Sequence, residues 1–495
     1  MMRSGWMRRC GIFFLGLIVA VAVSGCGGGG SSVPPPSISN INSSTTPTSP
    51  VGLPIEINGT GFQAAPGKVV FAQAQGNISA TVVPSAGGWS DTGIVVVVPD
   101  GNGTTKFTLP GTVSVTVVTS GGTSNAVNLN LIQTLSFSPS NLVWTTTTAL
   151  PKALTGLRAI GVQGSTSTTA FVVVTGGSDL LTNSTTVLSN TLKADGTVGA
   201  NWTTITTNPL PSARAHHAMA EADDTNSLVA AGKRFIYAIG GQQASTDAPG
   251  GTNTVFMASV DPTTGAVGTW TALASTLPQQ LVGMSATVYN GFLYVAGGLT
   301  TVGMPSAAVF SAPINSDGTL GTWTTATNAL PTATAFGTMF AFGGKLYFIG
   351  GDPNMSITPN LQGVGINSNN VYLASALRGA VGTWTLNTNL INKGRAKGIL
   401  FAAFGQVILG EGIYNGSPGS SEFERSTVNP DGTLAPWNGL TGSNVPSANV
   451  YNAGAFVSPL ISPAQTPRFL LLGGQKFVTT GTGTLSSTVF VNNAP

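Results

Sequence analysis

The histidines of this 495-residue chain are two adjacent residues, His216 and His217, and Arg214 lies just before them. An imidazole beside a guanidinium is a pairing from which a proton-transfer or anion-binding site can be built. A strand sends neighbouring side chains to opposite faces, so the two rings do not readily hold one metal ion between them. A second candidate is Glu411, a carboxylate standing where other copies of the same segment carry glycine, with Arg395 upstream of it. Arg214, His216, Arg395 and Glu411 are therefore the candidate catalytic residues. Asp223 and Asp224 are adjacent carboxylates, whereas a calcium loop spaces its oxygen ligands at alternating positions. A solvated hairpin tip is the expectation there. The chain shows no Ser/His/Asp set, phosphate-binding loop, dinucleotide fingerprint or HExxH zinc motif.

These residues lie within a repeating unit that fills the last part of the chain. Trp recurs at Trp144, Trp202, Trp270, Trp323, Trp384 and Trp437. A double glycine recurs at Gly176-Gly177, Gly240-Gly241, Gly297-Gly298, Gly350-Gly351 and Gly473-Gly474, with Gly410-Glu411-Gly412 as a degraded copy. Asp-Gly pairs at Asp195-Gly196, Asp317-Gly318 and Asp431-Gly432 read as tight turns. Six copies of a long β unit with fixed aromatic and glycine marks are the pattern of a β-propeller. The fixed tryptophans read as packing between blades rather than as a binding array. The first Trp precedes any double glycine, and the final strand-like run, Val489-Phe490-Val491, has no Trp after it. The Trp144 strand is thus expected to complete the last blade and remove two exposed sheet edges.

Composition narrows the classes. Charged residues make up 7% of the chain and apolar residues 41%, which suits a core of many short strands. Arg3, Arg8 and Arg9 precede a short apolar run, Gly11–Val23, too short to span a membrane as a helix. Val23-Ser24-Gly25-Cys26 follows and resembles a bacterial lipobox, which implies lipidation of Cys26 after cleavage. Removing those three arginines from 19 basic and 16 acidic residues leaves a balanced mature chain. A basic face for nucleic acid is not supported. Cys10 would leave with the signal and Cys26 would be acylated, so neither a disulfide nor a Cys-ligated metal is expected.

Residues 27–35 read as a flexible tether and 36–132 as a run of short alternating strands. Within that run the segments NGTGF (from Asn58), WSDTGIVVVVP (from Trp89) and GTVSVTVVTSGGTSNAV (from Gly111) resemble the IPT/TIG family of immunoglobulin-like domains. That resemblance implies a spacer or interaction module and brings no catalytic motif. Residues 133–142 read as a linker.

Residues 143–495 resemble kelch repeats. Each unit has a Leu-Pro-type lead-in, an apolar strand ending in Gly-Gly, a third strand of the Val-Phe or Val-Tyr type, and a turn to Trp. Arg158, Arg214 and Arg395 match the arginine that kelch repeats often carry. A copper oxidase on this fold would need a Tyr-Cys crosslink, for which the mature chain has no Cys, so no metal or cofactor is expected. The fold class expected is all-β, an N-terminal Ig-like β-sandwich plus a six-bladed kelch-like β-propeller closed by an N-terminal strand. The segments after the double glycines are long and polar, and Asp352, Asn354, Asn360, Ser368 and Tyr414 are the candidate ligand-binding residues on them. The functional expectation is an exported, lipid-anchored outer-membrane protein, periplasmic or surface-facing, that presents the propeller to a glycan or protein ligand. The alternative is a secreted carbohydrate-active enzyme of the epimerase or lyase type, with its site at the propeller channel.

Overall fold

The computed structural model describes residues 33–44, 46–84, 88–132, 141–166, 168–244, 251–354, 367–414, 422–440, 445, 450–459, 467–476 and 484–492. Among these the protein is all-β, with no helix and with predominantly antiparallel sheets.

The N-terminal part forms two sheets. One joins Ser37–Ile41, Pro54–Thr60 and Gly93–Val97. The other runs Thr48–Pro50, Val127–Ile132, Gly111–Thr119, Lys68–Gln73 and Ile78–Val82, with Thr48–Pro50 parallel to its neighbour. Alternation along these strands sends Ile55 and Ile57 from one sheet, and Val69, Phe71, Val113 and Val115 from the other, into one core. Trp89 joins that core while its Nε1 donates to the carbonyls of Phe62 and Gln63 at 3.1 and 2.9 Å.

Six further antiparallel sheets of four or five strands follow among the described residues, together with two two-stranded pairs. Their first strands are Arg158–Gln163, Ala218–Asp223, Ser285–Tyr289, Thr338–Phe342, Ile399–Ala403 and Gly454–Val457. Each sheet runs outward through its second, third and fourth strands by antiparallel pairing. These first strands adjoin one another in chain order, and the sixth adjoins the first. In the sixth sheet the outermost strand is Trp144–Thr147, which pairs with Val489–Asn492, Trp144 opposite Asn492 and Thr147 opposite Val489.

Cores lie between successive sheets, and the recurrent tryptophans fill them. Trp384 is buried with Tyr294, Phe348 and Tyr372, and Trp437 with Phe340, Tyr347 and Leu409. Trp144 packs against Phe423 and Phe401 of the fifth sheet, ring centroids 5.3 and 6.2 Å apart. Trp202, Trp323 and Trp384 donate their indole N–H to the carbonyls of Thr148, Ser275 and Asn328 at 3.1, 3.2 and 3.1 Å. The Asp-Gly turns are tight, as the sequence suggests: Asp195, Asp317 and Asp431 each accept the amide two residues on, at 2.9, 3.0 and 2.8 Å. A tyrosine from the preceding sheet holds two of them, Tyr237 donating to Gly318 O and Tyr347 to Gly432 O, both at 2.7 Å.

Asp223 and Asp224 are not a solvated tip. Both are buried, and Arg234 Nη1 reaches Asp224 Oδ1 at 2.7 Å while its Nε lies 3.8 Å from Asp223 Oδ2. Ser44 Oγ of the N-terminal unit donates to the Asp224 carbonyl at 2.6 Å. The hairpin end is covered by the N-terminal sheets, and the buried guanidinium is what makes two buried carboxylates tolerable there.

Candidate functional site

Two residues before each of the six first strands stands one residue with positive φ: Gly156 (63°), His216 (53°), Gly283 (65°), Phe336 (56°), Lys397 (57°) and Asn452 (55°). The amide of each donates to the carbonyl of its counterpart in the preceding sheet. His216 N reaches Gly156 O at 2.8 Å, Gly283 N reaches His216 O at 2.9 Å, and Phe336 N reaches Gly283 O at 2.8 Å. Lys397 N then reaches Phe336 O at 2.9 Å, Asn452 N reaches Lys397 O at 3.4 Å, and Gly156 N returns to Asn452 O at 2.9 Å. The result is a closed circle of six backbone hydrogen bonds around the axis on which the sheets meet. Left-handed backbone is costly for a side-chain-bearing residue. Here the circle imposes it, because only that conformation turns each amide toward the preceding sheet and each carbonyl toward the next.

The two glycines make room for two rings. A Cβ on Gly156 would lie 2.7 Å from His216 Cε1, and one on Gly283 would lie 2.6 Å from the Phe336 ring. His216 and Phe336 meet edge to face with centroids 5.6 Å apart, and Lys397 Nζ sits 5.0 Å from the Phe336 ring centre. The polar residues at this pole are strongly desolvated. Burial holds the imidazoles of His216 and His217 well below their ordinary range, helped by Lys397 and Arg158 for the first and by Arg158 and Arg214 for the second. Burial also pulls the Lys397 amine down to about 7, with Asp352 acting in the opposite sense. Both histidines are neutral at neutral pH.

Two spaces adjoin this circle. On the side of the double-glycine segments is a small depression of about 20 Å³, lined by Thr155, Ser178, Leu180, Asn183, His216, Gln242, Asn452 and Gln475. A cavity of about 190 Å³ lies along the first strands, lined by residues that include Arg158, Ser285, Phe336, Thr338, Lys397 and Asn452.

The four candidate catalytic residues do not converge. Of them, His216 alone lines either space. Arg214 is fully buried, its guanidinium carbon 4.7 Å above the Phe256 ring and its Nη1 donating to Ala213 O at 3.1 Å. Arg395 is a structural cation: its Nη2 pairs with Glu424 Oε1 at 2.9 Å, and its Nη1 donates to the Glu411 and Glu422 carbonyls. Glu411 takes left-handed backbone (φ 54°) in the degraded double glycine, is fully buried and lines neither space. Glycine is favoured at this place because a Cβ on the corresponding Gly350 would lie 2.6 Å from Arg395 O of the next sheet. The two histidines are not on a strand, since His216 has left-handed backbone and the strand begins at Ala218, so alternation does not set their directions; His217 shares a 2.8 Å hydrogen bond with Thr175 Oγ1. Arg158 does not occupy the same place as Arg214 and Arg395. It follows the left-handed residue instead of preceding it, and lines the 190 Å³ cavity.

Among the candidate ligand-binding residues, Asp352 is fully buried, and its Oδ1 accepts the Asn354 amide at 2.8 Å. It forms a bridge with Ala335 at the start of the segment after Gly350-Gly351. Asn354 is exposed, and Ser368 returns the segment by donating its amide to Gly351 O at 2.8 Å. The backbone of Tyr414 pairs with Arg395. Asn360, Cys26 and the side chain of Tyr414 lie outside the described residues. The sequence reading missed Lys397, Phe336 and Asn452. Their shared signal is only their place two residues before the first strand, since their side chains have nothing in common.

No protein family and no curated protein matches this chain. Among solved structures it is similar to one titled "Structure of YjhT", at 15% identity and a TM-score of 0.46, covering 70% of this chain and 96% of that one.

Proposed function

We propose that this is a lipid-anchored envelope protein in which an IPT/TIG-type immunoglobulin-like sandwich carries a six-bladed kelch-like propeller, closed by the Trp144 strand, that binds a glycan or protein ligand. The ligand face is the one bearing the double-glycine segments. The observation that carries this reading is that the N-terminal sheets occupy the opposite side. Ser43 Oγ donates to Asn290 O at 2.9 Å, Asn58 Nδ2 to Asn290 Oδ1 at 3.2 Å, and Ser44 Oγ to Asp224 O at 2.6 Å. Gly343 and Gly344 lie so close to Pro54 and Val95 that an added Cβ would come within 2.9 and 2.7 Å of them. The tight turns are therefore spent on holding the propeller, while the depression edged by Gln242, Asn183 and Gln475 faces away from the anchor. Amides and hydroxyls of this kind suit hydrogen bonding to sugar or peptide.

The chain with its signal segment removed, displayed against glycan and envelope-protein arrays, tests the proposal. Binding should disappear when Gln242 and Gln475 are both changed to Ala and persist when Asn290 is changed to Ala. Loss in the second variant alone would move the ligand to the turn side. Fractionation tests the anchor, because Cys26→Ser should leave the membrane fraction and lose labelled acyl chain.

The enzymatic reading, an epimerase or lyase at the channel, has one observation in its favour: a near-neutral amine, Lys397, beside a neutral imidazole, His216, at the axis. The dispersal of Arg214, Arg395 and Glu411 into packing roles favours binding over catalysis.

A further inference from the structure

His216 stands in the small depression on the double-glycine side, beside Thr155, Gln242 and Asn452. Its ring is held there by shape. An added Cβ on Gly156 would come within 2.9 Å of Nδ1 and 3.0 Å of Nε2, and the ring meets Phe336 edge to face. Nδ1 is nevertheless buried without a hydrogen-bond partner, in a residue 5% exposed. The same holds for Thr155 Oγ1, in a residue 3% exposed. A buried polar atom left unpaired costs free energy, so two of them lining one space point to a partner from outside the chain.

The space narrows what that partner is. At about 20 Å³ it takes one water-sized group. Among the described residues lining it none is a carboxylate, lysine or arginine, and burial keeps the His216 imidazole neutral. A hydroxyl meets these conditions, because it donates to one of the two atoms and accepts from the other whichever imidazole tautomer is present. At the rim, Leu180 is half-buried in left-handed backbone (φ 75°) and places an apolar side chain beside the amides of Asn183 and Gln242. A saccharide ring carries hydroxyls on adjacent carbons and also a C–H face. One hydroxyl can therefore enter the depression while its neighbours meet the amides and the C–H face meets Leu180. A peptide side chain offers a single hydroxyl at most, and an acidic sugar brings a charge that no cation in the lining compensates. We infer that the depression is a subsite for an uncharged saccharide, one hydroxyl of which is held between His216 Nδ1 and Thr155 Oγ1. The depression lies on the face proposed above to hold the ligand, and its role as a subsite rests on that proposal, narrowing the ligand to a neutral glycan.

The chain has two histidines, so ¹⁵N-histidine labelling of the mature protein gives two imidazoles, with the Thr175-bonded His217 as internal reference. Arrays carrying neutral, uronate-bearing and phosphorylated glycans are probed first, and methyl glucoside, galactoside and mannoside are then titrated against the labelled protein. Neutral glycans should be bound in preference to acidic ones. At least one methyl glycoside should shift the His216 ring nitrogens saturably and leave those of His217 in place. His216→Phe keeps a ring that Phe336 carries at the equivalent place in the circle, and Thr155→Val keeps the shape of the side chain; each should weaken binding about tenfold. No bound neutral glycan, no movement of the His216 nitrogens at saturation, or unchanged affinity in both variants would overturn the inference. The movement is read in the wild-type protein and so decides the matter even where a variant fails to fold. Binding of acidic glycans or of proteins alone, still lost when Gln242 and Gln475 are changed to Ala, would overturn the inference and leave the double-glycine face standing. Neutral-glycan binding lost in Asn290→Ala alone would overturn that face and the inference with it.

Discussion

The amide of Gly156 donates to the carbonyl of Asn452 at 2.9 Å, bonding the approach to the first of the six sheets to the approach to the last. The same two sheets are tied a second time at the rim, where Trp144–Thr147 completes the sheet that begins at Gly454. In the closed propeller proposed above, closure would rest on an inner backbone bond and an outer strand. Truncating Trp144 removes its ring from Phe401 and Phe423 and should cost about 3–5 kcal/mol. Urea denaturation of Trp144→Ala should show the midpoint falling while the slope is unchanged. A wild-type midpoint would mean that the outer strand contributes nothing to closure.

The axis offers a sharper test of packing. Gly283 faces the Phe336 ring, and a methyl group there would sit 2.6 Å from it. Gly283→Ala adds that clash to unfavourable left-handed backbone, and a loss of roughly 1–3 kcal/mol is expected. Combining it with Phe336→Ala relieves the clash but not the backbone cost, so the double variant should lose less than the sum of the singles. Strict additivity in a thermal-denaturation cycle would show that the two residues do not touch.

Glu56 gives a pH dependence of defined sign. It is fully buried where the N-terminal sheets meet Asn290, and burial raises its carboxyl from 4.5 to about 7 against the pull of Asn290 and Arg378. Tyr289 and Tyr294 face it from the third sheet. Between those two values the folded chain holds a proton that the unfolded chain has released. This group's contribution to stability therefore falls as pH rises from 4.5 toward 7, then levels off, by up to roughly 3 kcal/mol. Glu56→Gln should be more stable than wild type at pH 8 and lose that advantage at pH 5. Taking the difference between the two proteins cancels the contribution of the histidines. An identical offset at both pH values would mean that the carboxyl does not titrate in this window.

Arg395 and Glu424 form a buried pair at 2.9 Å, with both side chains almost inaccessible. Glu424→Ala leaves a buried guanidinium uncompensated and should cost about 3–5 kcal/mol, whereas Arg395→Met with Glu424→Leu should cost far less. If Arg395→Met alone left stability intact but abolished a measured activity, the residue would belong to a catalytic site after all.

The parts of the fold legible in the sequence are those where one backbone requirement admits few residue types. Double glycines mark positive φ with another sheet's carbonyl against Cα, Asp-Gly marks a turn capped by its own carboxylate, and Trp marks a large gap between sheets. The axis was not legible for the opposite reason. Its circle needs left-handed backbone and two correctly oriented peptide groups, and His216, Phe336, Lys397 and Asn452 satisfy it with unrelated side chains. Arg158 was misplaced because local sequence, Leu-Arg-Ala against Ala-Arg-Ala, resembles the Arg214 segment although its register relative to the strand differs. Asp223 and Asp224 looked solvated because their partner, Arg234, is supplied across a hairpin and their cover by a separate unit.

In the proposed function, ligand is held on the face of the double-glycine segments, away from the N-terminal sheets. Amide hydrogen exchange of the full mature chain, with and without a ligand found on the arrays, tests it directly. Protection is expected at 178–184, 242–254, 299–306 and 352–370, with no change at Asn290-Gly291 or Gly343-Gly344. Protection confined to those turns, or to the strands that contact them from the N-terminal unit, would contradict the account.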